Sequence, residues 1–141
     1  MYDWDDLSEL EQLATIYSDA HKDAYGFRPR NGGVHNPTTV AEYRAAIEDC
    51  GRTIEEEEKR ERAYEAKSLD TFEAEIAALV ADHGIDRETA LRWWFEAEGF
   101  EPRDHIGWAR QDAEHILWKR GIAIREWPAI VDGFLPLPSA A

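Results

Sequence analysis

Apolar and aromatic residues recur at helical intervals from the start of the chain: Leu10, Leu13, Tyr17, Ala20, His21 and Ala24 line one face. Ser8 with Glu11 three residues later forms a capping-box pattern at the head of this stretch. Asp5, Asp6 and Glu9 lie before or within the first turn, where the helix dipole favours negative charge. Gly26 is the expected terminator, because glycine takes the left-handed conformation without penalty. Phe27 follows where such an ending tucks an apolar side chain back onto the last turn. Pro29 forbids continuation and holds Arg28 extended. Asn31-Gly32-Gly33 and Asn36-Pro37 mark a loop.

A second helix starts at Thr38 or Thr39. Val40, Tyr43, Ile47, Cys50 and Ile54 step by alternating threes and fours, a heptad seam. The seam then fails in EEEEKRER, residues 55–62, which carries no apolar residue. Glu55 with Lys59, Glu56 with Arg60 and Glu58 with Arg62 are acid-before-base pairs that suit an exposed helix. The rhythm returns in a shifted phase at Leu69, Phe72, Ile76, Leu79 and His83, and Gly84 stops it. One helix of roughly 45 residues fits, as do two joined near Ser68-Leu69-Asp70, where Asp70 and Glu73 offer a cap.

Asp86 caps a third helix, RETALRWWFEAE, with Ala90, Leu91, Trp94 and Phe95 as its buried stripe and Gly99 as its end. A fourth is expected from Asp104 to Arg120, its apolar residues being Trp108, Ile116, Leu117 and Trp118, with Gly121 closing it. The tail has room for a short strand over 122–127, and its three prolines exclude more. The pattern therefore predicts an all-α chain, residues 1–141 forming a single domain. A long central helix, able to form a coiled coil or a hairpin, carries shorter helices packed at its ends.

Charge changes this picture more than size does. The 141 residues carry a formal net charge of −14. Residues 1–23 hold −6 and residues 42–101 hold −10, whereas residues 102–141 are balanced. Such a field repels nucleic acid and anionic lipid and attracts basic surfaces. One cysteine, Cys50, excludes an internal disulfide and a cysteine zinc site. The acidic N-terminus is unlike a signal peptide, and no apolar run is long enough to span a membrane.

Candidate chemistry concentrates in YSDAHKDAYGFRPRN, residues 17–31. Ser18 and His21 are helix neighbours, half of a nucleophilic triad. Asp19 and Asp23, each two residues from His21, point elsewhere, and no glycine-rich elbow accompanies the serine. The simpler reading packs Tyr17, His21 and Ala24 inward and pairs Lys22 with Asp19. His21, His35, His83, His105 and His115 are scattered without metal-ligand spacing, so no metal and no cofactor is expected. Glu114-His115 and Asp104-His105 would gather ligands only if the fold joined them. Arg28 and Arg30, two apart on an extended segment, project to one side and suit either a clamp on an acidic helix of this chain or an external anion. Trp93 and Trp94 cannot share a helix face: one belongs in the core, the other under the C-terminal segment or exposed as a partner anchor.

The first motif, a charged helix and then DRETALRWWFEAEGF together resemble a family of small uncharacterised accessory proteins of tailed bacteriophages. That family brackets a Glu/Lys/Arg-rich helix between YSDxHKDxYGFRPR-like and DRxTALRW-like motifs. The likeness covers roughly residues 10–120; the acidic N-terminus and proline-rich tail depart from it. It implies a phage or prophage protein of the bacterial host cytoplasm and transfers no catalytic residue. Joined to the charge, it leads to the expectation of a non-enzymatic inhibitor of a host nucleic-acid-handling defence protein, of the anti-CRISPR or anti-restriction kind. Asp3, Asp5, Asp6, Glu55, Glu56, Glu57, Glu58 and Glu61 would present carboxylates to a basic host surface in place of phosphates. Neither direct nucleic-acid binding nor membrane contact is expected. Two other classes stay open: a scaffold that self-associates through the long helix, and a small-ligand-binding or enzymatic protein with a site near Arg28, Arg30 and His21.

Overall fold

The computed structural model describes residues 3–30, 33 and 35–136. Every regular element among them is helical: a 3-10 turn Trp4–Asp6, then α1 Glu9–Tyr25, α2 Val40–His83, α3 Arg87–Ala97, α4 Ile106–Lys119, a 3-10 turn Ile124–Glu126 and α5 Trp127–Asp132. The fold is all-α, and the long helix is continuous through Ser68-Leu69-Asp70, forming neither a hairpin nor a break. The chain divides into two compact units, Met1–Glu61 and Arg62–Ala141. Residues 40–61 of α2 belong to the first and 62–83 to the second.

In the first unit α1 begins as its sequence dictates. Ser8 Oγ accepts from the Glu11 amide, and the Glu11 carboxylate accepts from the Ser8 amide, closing the capping box. Gly26 ends α1 at φ 86°, its amide bonded to the Lys22 carbonyl. The head of α2 is held by Thr39, whose hydroxyl accepts from the Glu42 amide. The Glu42 carboxylate reaches back to the Thr38 amide at 2.7 Å, and that bond holds Glu42 below the usual carboxylate range. Tyr43, Ile47 and Ile54 are half-buried along the predicted seam, and Cys50 is the one fully buried side chain described in this unit. Of the turn expected at Asn31-Gly32-Gly33, Asn31 and Gly32 lie outside the described residues.

The second unit holds a conventional core. Phe72 and Ile76 of α2 meet Ala90, Leu91, Trp94 and Phe95 of α3, with Phe100, Ile122, Ile130, Val131 and Phe134 closing it. Phe95 stacks on Phe134 at 4.3 Å between centroids, and Phe72 meets Trp94 edge-on at 4.7 Å. Glu75 of α2 ties the layer together: it accepts from the Trp94 indole at 2.7 Å and from Arg120 Nη2 at 2.8 Å. Arg87 grips Glu73 with two bonds of 2.7 and 2.8 Å.

The inner face of α4 is built from Ala109, Ala113 and Leu117, while Trp108 and Trp118 stand 58% and 63% exposed. Alanine lets α4 approach its neighbours closely, a place an indole is too large to fill. The room for a short strand at 122–127 is taken by a 3-10 turn leading into α5. Pro128 is tolerated there because it occupies the first helical turn, where its missing N–H would have had no partner. Pro138 of the tail lies outside the described residues.

Candidate functional site

Tyr17, His21, Tyr25 and Phe27 form an aromatic group at the end of α1, with His21 in the middle. Its ring centroid lies 5.6 Å from Tyr17, 4.8 Å from Tyr25 and 5.0 Å from Phe27. His21 Nδ1 is 2.6 Å from the Phe27 carbonyl. A carbonyl only accepts, so Nδ1 carries the proton and donates. This bond folds the chain after Gly26 back onto the helix. Arg28 completes the fold: its Nη1 donates to Ser18 Oγ at 3.1 Å and sits 2.5 Å from Asp19 Oδ1.

Ser18 and His21 are therefore engaged separately, the serine by Arg28 and the histidine by a backbone carbonyl. Asp19 is held by Arg28 where the sequence suggested Lys22, because the chain reversal at Gly26 returns a guanidinium to that spot. Asp23 is exposed. Arg30 does not join the clamp: its carbonyl accepts from Asn36 Nδ2 at 2.5 Å, and among the described residues its side chain forms no ion pair. The motif is a clasp on the end of a helix. Tyr17 also meets Tyr43 of α2 at 5.7 Å, and burial beside Cys50 raises its phenol above the ordinary value. Burial likewise raises the Cys50 thiol, which keeps it protonated and unreactive.

The acidic residues are all exposed: Asp3, Asp5 and Asp6 around the first turn, and Glu55, Glu56, Glu57, Glu58 and Glu61 on α2. They do not form one face. Four consecutive glutamates encircle a helix. Glu9 pairs with Arg44 near the head of α2, whereas Tyr25 reaches Thr53 further along. The N-terminal acids thus lie toward one end of the α1–α2 contact and the glutamates beyond the other. Arg60 binds Glu57 at 2.9 Å and approaches Glu56 at 3.9 Å. Asp3, Asp5, Asp6, Glu55, Glu58 and Glu61 form no ion pair among the described residues.

A cleft of about 500 Å³ lies in the second unit, floored by Phe100, Ala109 and Phe134, with Arg92 and Arg103 at its edge. Both arginines are already engaged, Arg92 with Glu88 and Arg103 with Asp112, each at 2.7 Å. Among the described residues no three His, Cys, Asp or Glu side chains gather as metal ligands, and no helix is long and apolar enough to cross a membrane.

No family model, no curated protein and no solved structure matches the chain.

Proposed function

We propose that this protein is a phage-type accessory protein that binds a basic, nucleic-acid-handling surface of a host defence protein and blocks it. The observation that carries this reading is the state of the charges. Ten arginines, from Arg28 and Arg44 to Arg120 and Arg125, are engaged with carboxylates of the same chain. The surplus of acid is left on exposed side chains, including Asp3, Asp5, Asp6, Glu55, Glu58 and Glu61.

Nucleic acid presents one charge per roughly 1.7 Å of duplex axis. A ring of glutamates around a helix offers carboxylates in several directions, so it suits a partner that wraps the helix in a channel. Association of this kind is steered, and it weakens as salt rises. Capture from a host lysate identifies the partner, and a salt series on the purified pair then tests the mechanism. Reversing Glu55 and Glu58 to lysine is expected to slow association and leave the helical content unchanged. Affinity that ignores both salt and the double reversal would sink the proposal.

A further inference from the structure

We propose that α4 is a pairing surface for a second copy of this chain, through an antiparallel stripe made of Trp108, Gln111, His115 and Trp118. These residues step by three, four and three, so they share one helix face. All four are exposed, and the opposite face, Ala109, Ala113 and Leu117, is the one buried in the core. The two indoles are not loose. Trp108 lies against His105 at 5.1 Å between centroids, and Trp118 stacks on His115 at 5.6 Å. Rings already held in place lose less freedom when a partner covers them.

Two features select a second copy over another occupant. The stripe is self-complementary: with two α4 helices antiparallel, Trp108 faces Trp118 of the second copy and Gln111 faces its His115. That is the symmetry a two-fold interface requires. The charge fits as well. Residues 102–141 are electrically balanced in a chain of net −14, so this is where two like-charged copies approach with least repulsion. A basic partner is drawn instead to the acidic segments. The area sets the strength: each indole is already about 40% covered, so the four of a pair remove roughly 350–600 Å² from water, given the 150–250 Å² an aromatic side chain buries. With flanking residues the interface stays in the class below about 1,200 Å², that of weak and transient pairs.

Sedimentation equilibrium of the full chain over a concentration series, at low and high salt, tests this. The expected result is a reversible monomer–dimer equilibrium that tightens as salt rises, because screening removes repulsion between two acidic chains. Trp108→Ala and Trp118→Ala should each lose the dimer while circular dichroism stays unchanged, since neither ring supports the core. Glu55→Lys with Glu58→Lys should keep it. The salt response is opposite in sign to that of the proposed host contact, so the two ideas fail separately. A monomer at every concentration and salt overturns the inference. So does a dimer indifferent to both tryptophan variants, or a Trp118→Ala chain that loses a different protein while the wild type is monomeric.

Discussion

The two units solve the same problem with different materials. Among the described residues of Met1–Glu61 only Cys50 is fully buried, whereas Arg62–Ala141 buries all the other core residues. The first unit relies on edge-on aromatic contacts, the clasp of His21 and Arg28, and reciprocal caps. The second relies on close-packed phenylalanine, leucine and alanine. Apolar burial contributes roughly 25 cal/mol per Å² removed from water, while an ordinary hydrogen bond contributes about 1 kcal/mol net. Stability is therefore concentrated in the second unit, and the first depends on geometry at a few positions.

The largest expected effect tests that contrast in the core. Phe95→Ala should lower the unfolding free energy by about 3–5 kcal/mol, through lost contacts and an unfilled cavity. Tyr17→Ala, from the half-buried cluster, should cost clearly less in the same urea titration. Equal losses would mean the first unit is as tightly packed as the second.

Next comes the clasp. Gly26→Ala should cost about 1 kcal/mol. A Cβ there meets nothing within 4 Å, so the penalty is conformational and reads directly on the φ of 86°. A neutral outcome in thermal unfolding would show that this helix end rearranges freely.

A smaller effect follows acid. Arg87 holds the Glu73 carboxyl below its ordinary value of 4.5. A lowered folded value stabilises fully above the unfolded value and is lost as pH falls through the folded one. The stability gap between wild type and Arg87→Gln should therefore be open at neutral pH and close on acidification below about 4.5. A gap that persists in strong acid would mean Arg87 acts through packing instead.

The smallest effect belongs to Glu57→Gln. Its bond to Arg60 is exposed on both sides, and such pairs contribute about 0.3–0.5 kcal/mol. The melting temperature should hardly move. A large drop would place this stretch in an interface.

Local rules were legible in the sequence and distant ones were not. Ser8, Gly26 and Asp86 act on backbone groups a few residues away, so their spacing alone declared them. The α3 stripe and both seams of α2 follow from helical periodicity. The buried face of α4 was not legible, because alanine is a quiet apolar signal and tryptophan a loud one, yet small residues are what close approach requires. Glu75 receiving both Trp94 and Arg120 spans 45 positions between Glu75 and Arg120, and no pattern along the chain announces it. In the clasp, the serine, histidine and arginine were visible as residue types. Their pairing depended on the reversal at Gly26, which returns Arg28 to Asp19.

Residues 55–62 of α2 are all exposed and helical. Their amide protons are guarded by the helix's own bonds alone, so solvent deuterons reach them whenever one or two turns open. The amides of Phe72 and Ile76 must wait for the core itself to come apart. A helix continuous in shape is thus discontinuous in free energy, and its exchange record should show a fast band interrupting an otherwise slow rod.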